Sequence, residues 1–251
     1  MEITSVNNDL VKEVVKLQQK KYRDKTGKFL LEGFKSVEEA YLSKLVFDKV
    51  FVLKEKKGKY LFLNIDLIET NETVLKKIST TATPPEVVAV AYQKKGSLDN
   101  IGNNVILLEN VKDLGNLGTI IRTAVAFAVD TIILYGDTVD LYNPKIVRST
   151  VGNLWKINII SMNTIDELMK IFSCYEIYGT LPKSVNSEFL STIEFSNKPK
   201  VIMFGAEACG LSEELKKIAT CNITIEMQRN VESLNLSISS GIVLYHAFMK
   251  K

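Results

Sequence analysis

A chain of 251 residues, 46% of them hydrophobic and 24% charged, can bury one large core or two modest ones. Three cysteines without CxxC spacing, and a single histidine (His246, in the terminal helix and away from any loop), argue against a disulfide framework, a histidine-rich metal site and a Ser-His-Asp triad, and suit reduced thiols in a cytoplasm. The net charge of +3 is uneven, with 18 Lys and Arg against 13 Asp and Glu in residues 1–97, and neither a secretory leader nor a membrane span is predicted, since the apolar stretch 123–134 is short and broken by Asp130.

In the front part, Leu10, Val14 and Leu17 share one face of a helix over 9–19. A strand follows at 29–31, a helix at 36–45, a strand at 50–53, a helix at 72–78 and a strand at 87–91. Thr83-Pro84-Pro85 reads as a rigid loop, because proline fixes its own φ and restrains the residue before it. The polar, glycine-containing run 94–104 separates this small α/β domain, 1–97, from a second, 98–251. There, apolar strands at 105–108, 131–134, 157–160, 176–178, 201–204 and 223–225 alternate with helices at 119–128, 165–172, 213–219 and 236–250. That alternation predicts a mostly parallel sheet covered on both faces.

Three loops that follow strands stand out, since α/β domains bind ligands at the carboxyl ends of their strands. In the first, 109–124, Gly115 and Gly118 allow close backbone approach, Asn116 reads as a helix cap, and Ile120, Ile121 and Ala124 form a buried stripe that leaves Arg122 on another face. A plain cap and a surface cation would give the same pattern, and the spacing is neither a dinucleotide fingerprint nor a P-loop. In the second, 204–212, Gly205 and Gly210 frame Glu207, and Cys209 reads as a small filler. The third, 226–237, holds Ser233 and Asn235, which exchange hydrogen bonds without titrating near pH 7. The chemistry these residues suit is positioning of a ligand, with no metal.

Taken together, Asn116-Leu117-Gly118-Thr119-Ile120-Ile121-Arg122-Thr123-Ala124, Gly205-Ala206-Glu207 and Ser233-Leu234-Asn235-Leu236-Ser237 resemble the three motifs of the SpoU-type RNA 2′-O-ribose methyltransferases of the SPOUT superfamily. Asn143-Pro144-Lys145-Ile146-Val147-Arg148-Ser149 looks like the family's segment between its first two motifs, so the resemblance spans 104–251. The front domain, through Lys20-Lys21-Tyr22-Arg23, Phe29-Leu30-Leu31-Glu32-Gly33 and 83–90, is similar to the ribosomal-protein-like RNA-binding domain of some members. The family commonly has proline where this chain has Leu114 and Glu226. Both loops are therefore expected to be less rigid, and Glu226 to face solvent.

The resemblance implies an α/β trefoil-knot domain with a mostly parallel sheet, joined to a small α/β RNA-binding domain. It implies S-adenosylmethionine as cofactor, held by Gly205, Gly210, Ile225, Met227 and Leu234, and methyl transfer to a ribose 2′-oxygen in RNA, ribosomal RNA above all. Arg122, Asn116, Glu207, Ser233 and Asn235 would form the catalytic set, and Lys20, Lys21, Arg23, Lys28 and Arg148 would meet RNA phosphates, with Tyr22 and Phe29 available to stack, although Phe29 lies in a strand and reads better as core. A homodimer acting without membrane or DNA is expected. The alternatives are a transfer-RNA 2′-O-methyltransferase, a non-catalytic RNA-binding or ribosome-assembly protein on the same fold, and an oxidoreductase that lacks its glycine fingerprint.

Overall fold

The computed structural model describes residues 1–183, 186–206, 209–228 and 233–249. The chain runs β1 (Glu2–Ile3), α1 (Asp9–Lys16), α2 (Lys20–Thr26), β2 (Lys28–Glu32), α3 (Phe34–Leu42), β3 (Phe47–Leu53), β4 (Leu67–Thr70), α4 (Glu72–Ile78) and β5 (Val87–Tyr92). It continues with β6 (Asn104–Glu109), α5 (Leu114–Ala126), β7 (Thr131–Tyr135), α6 (Pro144–Ser149), β8 (Asn158–Met162), α7 (Ile165–Ile171) and β9 (Glu176–Thr180). The last elements are β10 (Glu188–Phe189), β11 (Lys200–Phe204), α8 (Glu213–Ile218), β12 (Cys221–Thr224) and α9 (Leu236–Met249). These divide into two compact units, Met1–Lys94 with Asp140–Lys156, and Lys95–Val139 with Ile157–Lys251.

The first unit is built on a five-stranded mixed sheet in the order β1-β4-β3-β5-β2. Val88 and Val90 of β5, Phe51 of β3 and Leu30 of β2 alternate with their neighbours and bury one face against Val11 and Val14 of α1 and Val74, Leu75 and Ile78 of α4. Residues Asp140–Lys156, which sequence order alone groups with the second domain, fold with this unit. The reason is local packing: the Phe29 ring lies 4.7 Å from that of Tyr142 and 5.3 Å from that of Trp155, centroid to centroid. Phe29 is fully buried by this stacking, so it is core and no base can reach it.

The second unit carries a seven-stranded sheet, β10-β12-β9-β11-β6-β7-β8, in which every pairing is parallel. Both faces are covered, which is why its strands are unbroken apolar runs such as Val105 to Leu108 and Val201 to Phe204. Val105, Leu107, Val201 and Met203 face α7 and α8 through Leu168 and Leu215. The intervening Ile106, Leu108, Ile202 and Phe204 are equally buried on the opposite face. Because the strands are all parallel, the loops after β6, β11 and β12 emerge at one sheet edge. That places the three candidate loops together.

Candidate functional site

Helix α5 begins at Leu114, a turn earlier than the glycines suggest. Asp113 is its cap, accepting from the Asn116 N–H at 2.7 Å. Asn116 is therefore inside the first turn, 8% exposed, and not the cap; a carboxylate three residues upstream takes that role at the positive end of the helix. Its side chain points to α9. The Asn235 Nδ2 donates to Asn116 Oδ1 at 3.0 Å, while Asn235 Oδ1 accepts from the Ser237 N–H at 2.9 Å and the Ser237 hydroxyl at 2.6 Å. The start of α9 is thus pinned to the start of α5. The two helices then run alongside one another, with the Phe127 and Tyr245 rings 5.9 Å apart and Gly241 against Thr123. Arg122 sits on the exposed face of α5 and forms no ion pair among the described residues.

Beside this junction lies a cavity of about 490 Å³, and Gly205, Gly210, Ile225, Met227 and Leu234 all line it together with Ser233. Asn116, Arg122 and Asn235 lie outside its lining. Gly205 follows β11 where a Cβ would stand 2.0 Å from the Gly210 carbonyl carbon and 2.2 Å from the Leu211 nitrogen, so only glycine fits. Gly210, at φ +65°, donates its N–H to the Ala206 carbonyl at 2.8 Å and closes the turn. Glu207 lies outside the described residues. Cys209 lines the cavity and is exposed, so it is not the small core filler its size suggests.

The sequence pattern does not single out Glu109, Lys216 or the segment Leu181-Pro182, which complete the surroundings. Glu109 ends β6, is 4% exposed, and accepts from the Ser212 N–H at 2.8 Å, tying the first loop to the second. Ser212 in turn caps α8 through the Leu215 N–H. Burial raises the pKa of the neighbouring Tyr135 hydroxyl, helped by the Glu214 and Glu109 carboxylates, and keeps it protonated. An acid closing an apolar strand is the only signal in the sequence that points to Glu109. Leu181 and Pro182 carry no motif at all.

Glu226 is exposed but does not simply face water. Its Oε1 accepts from the Ser191 N–H at 3.1 Å and from the Ser191 hydroxyl. Desolvation opposes its ionisation, but these hydrogen bonds and the nearby His246 prevail and hold its pKa below the ordinary value. His246 is likewise not remote from loops, since its Nε2 lies 3.1 Å from the Ile193 carbonyl. Both contacts tether the segment after β12 and the helix α9 to residues 190–193.

Of the basic residues assigned to RNA, only Lys20 and Lys21, at the start of α2, are exposed and without an ion pair among the described residues. Arg23 is 2% exposed: its Nε donates to Asp140 at 3.0 Å and its Nη1 to the Leu17 carbonyl at 2.7 Å. It is a structural cation, since a guanidinium so deeply buried and held by Asp140 and the Leu17 carbonyl is out of reach of a phosphate. Lys28 is paired with Asp48 at 3.1 Å and lies over the Tyr92 ring. Arg148 pairs with the buried Glu32 and with Thr80. Both are held within the first unit, by charges the sequence cannot pair.

The cavity suits an adenosine-bearing ligand. Its size falls in the range of small-molecule sites, about 300–1,000 Å³. Its wall offers Ile225, Leu234 and Leu236 to a flat base, and Thr180, Thr224, Ser233 and Ser239 to hydroxyls. Among the described residues no group of three or more His, Cys, Asp or Glu could hold a metal ion, and no helix is long and apolar enough to cross a membrane.

Comparison with known proteins agrees with this geometry. The model of the SpoU rRNA Methylase family matches residues 103–245, and that of the MRM3-like substrate binding domain matches residues 8–89. The chain is similar to the 23S rRNA (guanosine(2553)-2′-O)-methyltransferase RlmP of Bacillus subtilis, 32% identical over 249 residues that cover 98% of both proteins. It is 28% identical over 176 residues to a 23S rRNA (uridine(2479)-2′-O)-methyltransferase of Streptomyces viridochromogenes, covering 67% of this chain and 61% of that one. Among solved structures it resembles the AdoMet-bound rRNA methyltransferase of Sinorhizobium meliloti, with a TM-score of 0.88 and 32% identity over 98% of this chain and 97% of the other.

Proposed function

The chain belongs to the SpoU rRNA Methylase family, and from that premise we propose that it methylates a ribose 2′-hydroxyl of ribosomal RNA with S-adenosylmethionine. The observation that carries this reading is the cavity at the carboxyl edge of the parallel sheet, bordered by Gly205, Ile225 and Leu234, with the Asn116–Asn235 bond beside it. When bound there, S-adenosylmethionine supplies an electrophilic methyl group on a sulfonium.

The residues present divide the remaining work. Ile225, Met227 and Leu234, on the cavity wall, would hold the cofactor by apolar contact, and Gly205 and Gly210 would let backbone groups approach it. Ser233 offers a hydroxyl at the wall, and the next residue but one, Asn235, fixes α5 against α9 through Asn116. Arg122, exposed on α5, meets the phosphate next to the target ribose. It acts as a fixed positive charge whose planar guanidinium matches phosphate oxygens in pairs. Lys20 and Lys21 bind RNA phosphates from the first unit.

The finer features of this reading are a trefoil knot around the cavity, a cytoplasmic setting and a homodimer. Three free cysteines and an RNA substrate support the cytoplasm. The dimer is supported by α9, where Ile238, Ile242, Tyr245 and Met249 are 55%, 40%, 59% and 53% exposed along one stripe of the helix.

Incubation with ribosomal RNA and cofactor carrying a labelled methyl should give RNA that resists alkaline cleavage at one mapped ribose. Arg122→Ala should abolish this while S-adenosylmethionine binds as before, because Arg122 does not line the cavity. Label found on a base, or none under any RNA, would reject the proposed reaction.

A further inference from the structure

Among the described residues lining the cavity, one carries a charge: Lys216 of α8. The rest of the described wall is glycine, aliphatic side chain, the Met227 thioether, or neutral hydroxyl and thiol. Lys216 is also held on the solvent side, its Nζ 2.7 Å from Oε1 of Glu213, with side-chain exposures of 33% and 80% respectively. The two sit one turn apart on the same helix, and Lys216 lowers the pKa of Glu213 by hydrogen bonding to it.

The inference rests on the cofactor reading above and concerns what that cation is for. S-adenosylmethionine has one anionic group, its α-carboxylate; the ammonium and sulfonium are cationic, and the adenine and ribose are neutral. A lysine on the wall attracts only the carboxylate and repels the other charged ends. We propose that Lys216 is the residue that recognises the α-carboxylate of the cofactor, exchanging Glu213 for it when the nucleoside binds. The exchange is easy because an exposed pair of this kind is weak and screened by salt. Inside a largely apolar cavity the same charge meets its partner with less water to compete. Lys216 thereby selects amino-acid-bearing nucleosides over those that carry adenosine alone.

The test compares S-adenosylmethionine with its decarboxylated form, which keeps the sulfonium and the ammonium, by calorimetry on the full chain. The wild-type protein should bind the intact cofactor about tenfold more tightly, a difference of about 1.4 kcal/mol. Lys216→Gln, which keeps most of the stem, should weaken the intact cofactor about tenfold and leave the decarboxylated form as tight or tighter, so the preference disappears. Lys216→Arg should restore most of it. Persistence of the preference in Lys216→Gln, or an equal loss for both ligands, overturns the assignment and leaves the cofactor reading standing. Failure of the wild type to bind either nucleoside removes both.

Discussion

The Asn235 side chain serves two helices at once: its Oδ1 caps α9, and its Nδ2 donates to Asn116 Oδ1 in the first turn of α5. Asn235→Asp separates these roles. Aspartate keeps the capping oxygen and adds charge that favours a helix start, but it sets a carboxylate against the Asn116 amide oxygen. Thermal stability should stay within about 1 kcal/mol of wild type, while methyl transfer falls about 10- to 100-fold, the range expected when a hydrogen bond at a fixed junction is replaced by repulsion. Asn235→Ala removes the cap as well and should lose about a further 1 kcal/mol of stability. Full activity in Asn235→Asp would show that the bond is not needed for catalysis.

The two glycines of the second loop should differ sharply in tolerance. A Cβ on Gly205 meets the backbone of Gly210 and Leu211 at 2.0–2.2 Å, and backbone cannot step aside. A Cβ on Gly210 meets nothing within 4 Å and suffers only the left-handed φ of +65°, worth about 1–2 kcal/mol. Gly205→Ala should therefore abolish cofactor binding in titrations, whereas Gly210→Ala should bind with modest loss. Alkylation of Cys209, which lines the same cavity, gives a second readout: cofactor should protect it in wild type and in Gly210→Ala, but not in Gly205→Ala.

How much of this is legible in the sequence follows from what each residue depends on. The strands of the second unit are plain because burial on both faces leaves runs such as Val201-Ile202-Met203-Phe204 with no polar residue to blur them. The five residues assigned to the cofactor line one cavity because motif order along parallel strands already places their loops at one edge. Asn116 passes for a cap since Asp113 and Asn116 are both good capping types and only the dihedral angles decide. The basic residues are the least legible: Lys20, Arg23 and Arg148 look alike in sequence, and partners such as Asp140 and Glu32 lie 117 and 116 positions away. No local pattern encodes those pairings.

Glu226 stands where relatives commonly carry proline, and its bonds to Ser191 supply by side chain the restraint a ring would give the backbone. Because its pKa is lowered in the folded protein, its contribution is present above the ordinary carboxylate range. It is lost as pH falls through and below that range, when protonation removes the acceptor charge. Glu226→Gln should weaken cofactor binding a few-fold at neutral pH, consistent with a largely exposed contact worth about 1 kcal/mol or less. Its cofactor affinity should then change less with acid than that of wild type. Parallel pH profiles of cofactor affinity for the two proteins would count against the restraint.

The first unit separates stability from RNA affinity by residue. Arg23 is buried against Asp140, so Arg23→Ala leaves a largely buried carboxylate without its cation and should destabilise the unit by about 3 kcal/mol or more. Its effect on RNA should be no more than unfolding explains. Lys20→Ala with Lys21→Ala, by contrast, removes two exposed cations from the start of α2 and should leave thermal unfolding nearly unchanged. RNA affinity should drop and the dependence of log K on log salt should flatten, by about 0.7 to 0.9 for each phosphate that is no longer neutralised. Titrations of both variants at several salt concentrations distinguish the roles. An unaltered salt slope in the double lysine variant would move the RNA interface away from α2, and a stable Arg23→Ala with weakened RNA binding would return Arg23 to that interface.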